Sequence, residues 1–162
     1  MKTLEQRLQE VEDREEIKEL TAKYAHWVAR GEGARVKDLF TDDGRFINEV
    51  IGEKPNIEVR GRKQLDEFYP ALKKGVALPC IHNHIIELDG DNAKGTCTIE
   101  VRITRDGQSI IGSGFYADIY RRENGRWKFV ERHAQFYHFV PLSKGWAYGL
   151  KAAEGLGRLP QR

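Results

Sequence analysis

Residues 80–95 read CIHNHIIELDGDNAKG, two closely spaced histidines followed by a tight-turn signal. Asp89-Gly90-Asp91-Asn92 predicts a two-residue hairpin turn centred on Gly90 and Asp91. Paired residue numbers across that turn then sum to 181. Glu87 falls opposite Lys94, an opposite-charge pair suited to a solvated face. On the other face His82 falls opposite Ile99, His84 opposite Cys97, and Cys80 opposite Val101. Side chains alternate along a strand, so both histidines share the face of Ile86, Leu88, Ile99 and Val101. This reading predicts that His82 and His84 point inward.

Outward from this hairpin, the chain predicts four long strands over 78–88, 93–104, 109–121 and 126–140. They are joined by turns at Gly90, Asp106-Gly107 and Asn124-Gly125. Helical signals precede them. Ile17, Leu20, Tyr24, Trp27 and Val28 form a stripe at helical spacing within residues 4–29, ended by Gly31 and Gly33. ARVKDLF gives a second short helix, and TDDGRFINEV a turn entering a strand. GRKQLDEFYPALKKG gives a third helix, kinked or broken at Pro70. Helices first and then a long antiparallel meander make an α+β domain, a curved sheet whose apolar face the N-terminal helices cover.

The chain has 162 residues, 40% hydrophobic and 32% charged, with a net charge of +2. That suits one globular domain over residues 1–147, with a Gly-rich tail, 148–162, held loosely. Basic residues are scattered rather than striped, so nucleic acid is not an expected partner. No apolar run reaches the length of a membrane span. The N-terminus lacks an apolar signal core, which predicts a cytoplasmic protein. Cys80 and Cys97 are too few for a disulfide framework and read as small buried thiols. No metal-ligand set and no Gly-rich phosphate loop is evident, so neither metal nor other cofactor is expected.

The segments IKELTAKYAHWVARG, TDDGRF, IHNHIIELDGDNAKG, GFYADIYRRENGRWKF and YHFVPLSKGWA resemble SnoaL-like members of the nuclear transport factor 2-like superfamily. Those proteins are cone-shaped α+β barrels. Their lyases include hexachlorocyclohexane dehydrochlorinase, bile-acid dehydratase and, more remotely, scytalone dehydratase. The resemblance implies that His82 is the general base, because a pocket histidine precedes the matching hairpin in those lyases. An apolar wall keeps an imidazole neutral and able to take a proton near neutrality. His84, one pleat away, is a substrate-binding or supporting neighbour. The resemblance also gives Tyr24 a place in the pocket, where its hydroxyl would meet a ligand oxygen, with Trp27 as a wall.

The last hairpin has two readings. A two-residue turn in RRENGRW pairs Tyr116 with His133; a three-residue loop with Gly125 left-handed pairs it with Arg132. Gly125 favours the second, with Arg132 inward at the position of a pocket arginine in the dehydrochlorinase. There it would stabilise developing negative charge. If the other register holds, His133 takes the place. Ile86, Ile99, Val101, Phe115 or Tyr116, and Phe136 are expected to line a mostly apolar cavity with His82 and Tyr24 inside it. One departure stands out. Where the dehydrochlorinase and the bile-acid dehydratase carry a helix aspartate that orients the histidine, this chain has Ala29.

The sequence therefore predicts a cofactor-independent lyase of the dehydratase type, or an isomerase, acting on a small apolar cyclic or aromatic substrate. The alternative is a non-catalytic small-molecule-binding or assembly module of the same fold. A homo-oligomer, dimer or trimer, is expected, because the outer sheet face around Ile85, Thr96 and Thr98 must also meet something.

Overall fold

Thr3 begins the first helix. Its Oγ1 accepts from the Gln6 amide while Gln6 Oε1 accepts from the Thr3 amide, a reciprocal cap that satisfies two otherwise unpaired donors. Helix α1 then runs Leu4–Arg30 and ends on Gly31, whose φ of 71° suits a residue without Cβ. Ile17, Leu20, Tyr24 and Val28 are its buried stripe. The computed structural model describes residues 2–146. The expected tail, 148–162, lies outside the described residues. Among those described, no helix is long and apolar enough to cross a membrane.

A short helix α2, Gly33–Val36, and a single tight turn lead into strand β1, Phe40–Val50. A short strand β2, Ile57–Arg60, and helix α3, Gly61–Phe68, follow. Pro70 sits in a 3-10 turn that closes α3, as its missing N–H and fixed φ dictate. The four long strands are β3, Ala77–Asp89; β4, Asn92–Arg105; β5, Gln108–Glu123; and β6, Arg126–Pro141. All four stand where the sequence reading puts them. Among the described residues the sheet has six strands in the order β2-β1-β6-β5-β4-β3, and it does not close. The contact of β1 with β6 is parallel, so the sheet is mixed rather than purely antiparallel. Helix α1 lies on its inner face. Trp127 donates from Nε1 to Asp13 and from its backbone to Glu16, and Arg14 reaches the Ile86 carbonyl.

Of the three register shifts in the four long strands, two decide which side chains up to Phe136 face the helix; the third lies beyond it, at Tyr137. Next to the first turn the pairing is as expected: Glu87 opposite Lys94, Ile86 opposite Gly95, Ile85 opposite Thr96. Between Ile85 and His82 the register slips, with Asn83 at φ 53°. Beyond the slip Ile81, not His82, lies opposite Ile99. One extra residue exchanges the two faces of everything that precedes it. The second bulge sits in β6, where Tyr120 pairs with Phe129 but Ile119 pairs with Glu131. Trp127 and Phe129 face inward before it, Arg132, Ala134 and Phe136 after it.

These slips correct three expectations. His82 is exposed on the outer face, opposite Thr98, because the Asn83 bulge lies between it and the turn. Cys80 is opposite Glu100 and only partly buried, while Cys97 is buried on the inner face; both thiols are free. Arg132 does point inward, but by another route. The last turn is the two-residue Asn124-Gly125 type, both at positive φ, and the Val130 bulge then restores Arg132 to the core side.

Candidate active site

Strand β5 sends Tyr116, Asp118 and Tyr120 to the inner face in strict alternation, and all three are buried. Arg132 is the cross-strand partner of Asp118 on β6. Asp118 Oδ2 and Arg132 Nη2 are 3.7 Å apart, and neither side chain exposes any surface. Three rings enclose the guanidinium: its Cζ lies 3.7 Å from the centroid of Tyr116, 4.2 Å from Tyr24 and 4.6 Å from Phe129. Such cation–π contacts replace part of the lost hydration. Cys97 Sγ lies 3.9 Å from Nη2.

The carboxylate continues towards the sheet edge. Tyr120 donates its hydroxyl proton to Asp118 Oδ2 at 2.8 Å, and His84 Nε2 lies 3.2 Å from the same hydroxyl. His84 is half-buried on β3 and is the member of this chain that reaches the surface. The line thus runs His84, Tyr120, Asp118, Arg132, across four strands' worth of sheet. Tyr24 and Tyr69 pair through their hydroxyls at 3.4 Å beside it.

Burial sets the proton affinities. Asp118 is pushed up to about 6 by desolvation, with Arg132 and the Tyr120 hydrogen bond opposing. His84 is pushed down to about 4, first by desolvation and then by the Arg132 and Lys18 charges. Near neutral pH the imidazole is therefore uncharged and the carboxylate ionised. Burial raises Cys97 to about 12, so its thiol is not a nucleophile there. Burial also raises Tyr24.

Three atoms of the cluster have no hydrogen-bond partner among the described residues: Asp118 Oδ1, Arg132 Nε and Arg132 Nη1. Buried charges in a purely structural role are normally paired on every face, since each unmet group costs stability.

The other expected residues divide by face. Tyr24, Tyr116, Ile99, Val101 and Phe136 are all buried in the core, Tyr24 and Tyr116 directly against Arg132. Phe115 is on the opposite face, its ring 5.8 Å from Tyr137. His133 is also outward, with Nε2 3.2 Å from Glu49. Trp27 is partly buried beneath Arg35, 4.1 Å from its ring. It belongs to an open groove of about 760 Å³, shared with Leu20, Leu39 and Trp127, away from the polar cluster. None of the described cavities is lined by the cluster; aromatic rings fill the interior around it. Among the described residues no group of three or more His, Cys, Asp or Glu is placed to hold a metal. Sequence reasoning missed Asp118 and Tyr120. Their signal is the Tyr-x-Asp-x-Tyr alternation in phase with inward Gly112 and Gly114.

Residues 9–133 match the family model described as SnoaL-like domain. No curated protein matches the chain. Among solved structures, a Mycobacterium tuberculosis protein of unknown function, Rv3472, is 26% identical over 77% of this chain and 76% of its own, with a TM-score of 0.63. A hexachlorocyclohexane dehydrochlorinase, LinA type 2, is 19% identical over 83% of this chain and 92% of its own, at 0.71. A candidate scytalone dehydratase from Novosphingobium aromaticivorans is 18% identical over 93% and 97%, at 0.70. The last two likenesses establish a shared fold.

Proposed function

Because this chain belongs to the SnoaL-like domain family, we propose that its buried polar cluster is the active site of a cofactor-independent lyase or isomerase. The substrate is small, largely apolar, and cyclic or aromatic. Likeness to a dehydrochlorinase and to a candidate dehydratase supports elimination as the leading reaction. The observation that carries the reading is Arg132: a guanidinium with no exposed surface, two unpartnered nitrogens, and a buried carboxylate and a neutral imidazole on the same line.

His84, rather than the exposed His82, is the base in this reading. It takes a proton from carbon next to an activating group, the C–H pair moves into a new C=C bond, and the leaving group departs with its own pair. In an isomerisation the pair instead moves onto the activating oxygen and the proton returns to another carbon. Arg132 supplies fixed positive charge where oxygen or the leaving group becomes negative. Tyr24, with its hydroxyl beside Tyr69, supports the same oxygen.

A specific observation favours the second reading, a non-catalytic binding or assembly module: the interior around the cluster is filled by aromatic rings. One experiment separates the two. The protein is incubated in deuterated buffer with cyclic β-hydroxy ketones and the corresponding enones and followed by NMR. Olefin formation, or deuterium entering the activated carbon, supports the enzyme. Thermal stabilisation by these compounds without either change supports the module.

A further inference from the structure

We infer that Asp118, acting through the Tyr120 hydroxyl, fixes His84 with its ring proton on Nε2 and leaves Nδ1 as the atom that accepts the substrate proton. The catalytic half of this statement rests on the function proposed above; the tautomer does not. Asp118 and Tyr120 are positioning residues, since neither meets the reacting carbon.

Hydrogen-bond counting gives the direction. An ionised carboxylate only accepts, and a tyrosine hydroxyl has one proton to give. At 2.8 Å that proton goes to Asp118 Oδ2. Arg132 Nη2, at 3.7 Å, is too far to replace it as donor to that oxygen. Thr21 also approaches the Tyr120 hydroxyl, but its own proton goes to the Ile17 carbonyl at 3.1 Å. The Tyr120 oxygen is left as an acceptor, so the 3.2 Å contact with His84 is Nε2–H donating. No described hydrogen bond engages Nδ1.

Residue 95 gives an independent observation. Gly95 is not one of the positive-φ glycines, so its backbone does not call for glycine. A Cβ there would lie 3.0 Å from His84 Nε2 and 3.0 Å from Tyr120 Cε2. The same Cβ would lie 3.1 Å from the Ile85 carbonyl, so the missing side chain leaves room both for the neighbouring strand and for the imidazole to close on the phenol. The charges facing His84 are Lys18 from α1, Arg132 from β6 and Asp118 from β5. The two cations act through space; the carboxylate alone is wired to the ring.

The test is NMR of histidine-labelled protein, with no substrate present. In the wild type His84 is expected as a single Nε2–H form whose ring proton exchanges slowly with solvent. Tyr120→Phe removes the acceptor, and Gly95→Ala wedges the two rings apart. Each is expected to speed exchange of that proton by about tenfold, the effect of losing one hydrogen bond. Asp118→Asn removes the charged acceptor, and an Nδ1–H population is expected to appear. If Asp118→Asn does not fold, Tyr120→Phe and Gly95→Ala still decide. An Nδ1–H tautomer in the wild type overturns the inference, as does a ring proton that exchanges equally fast in the wild type and Tyr120→Phe. A wild-type spectrum of the expected form in a protein without turnover leaves the relay standing and removes the enzymatic reading.

Discussion

Asp118 and Arg132 stand opposite each other on β5 and β6 with 3.7 Å between carboxylate and guanidinium, both wholly inside the protein. Neither is fully hydrogen-bonded. A pair in this state is a poor stabilising device, because desolvating two ions costs more than an imperfect contact returns. On the function proposed above, the pair is held in the interior for chemistry rather than for folding.

Breaking the pair from one side leaves a lone buried charge. Asp118→Ala is expected to lower unfolding free energy by about 3–5 kcal/mol, measured by urea denaturation. Asp118→Leu combined with Arg132→Met is expected to recover most of that loss or to exceed the wild type. A double variant less stable than Asp118→Ala would mean that the pair does stabilise the fold.

Stability against pH separates the two shifted groups. Asp118 has its folded pKa raised to about 6, above the ordinary 3.8, so the folded state holds the proton more tightly than the unfolded chain. Its contribution is largest below about 4 and is lost as pH rises through about 6. His84 is shifted the other way, from 6.5 to about 4. The unfolded chain binds that proton more readily, so its contribution grows from about pH 4 to 6.5. The two slopes oppose each other. His84→Gln is expected to make stability fall more steeply, or rise less, between pH 4 and 6 than in the wild type. Equal slopes in the two proteins would show that the His84 shift is absent.

The Asn83 bulge is what turns His82 outward. Asn83→Gly keeps the left-handed conformation and is expected to melt near the wild-type temperature. Asn83→Val opposes it and is expected to cost about 1–2 kcal/mol. Valine tolerated without loss would mean that residue 83 does not hold a left-handed conformation.

Much of this was legible in advance, and the failures have one physical origin. Helix α1 followed from its stripe of Ile17, Leu20, Tyr24 and Val28, and the long strands from their turn residues. Faces were legible only as far as the first irregularity. The register from Gly90-Asp91 holds through Ile85 and fails at His82, since one left-handed asparagine leaves little mark in the sequence. In the last hairpin a two-residue turn and a bulge at Val130 put Arg132 on the inner face that a three-residue loop would also give it, but opposite Asp118 rather than Tyr116. The resemblance points to α1 for an interior carboxylate, where Ala29 stands, while Asp118 lies on β5 in plain alternation with Tyr116 and Tyr120.

Activity is expected to be flat above about pH 7, where Asp118 is ionised and His84 neutral, and to fall between about pH 7 and 4 as the cluster takes up protons. Apparent values in that window belong to the linked groups together. A kcat/KM profile with its acid limb centred above pH 7 would contradict this assignment.

The most direct test of the account compares two histidines two residues apart. His84→Ala and His82→Ala are assayed side by side with the wild type on the cyclic β-hydroxy ketone panel, following olefin formation and deuterium incorporation. The account predicts a loss of about a hundredfold to ten-thousandfold for His84→Ala and near wild-type turnover for His82→Ala. Full activity in His84→Ala, a collapse confined to His82→Ala, or no turnover of the panel by the wild type would contradict it.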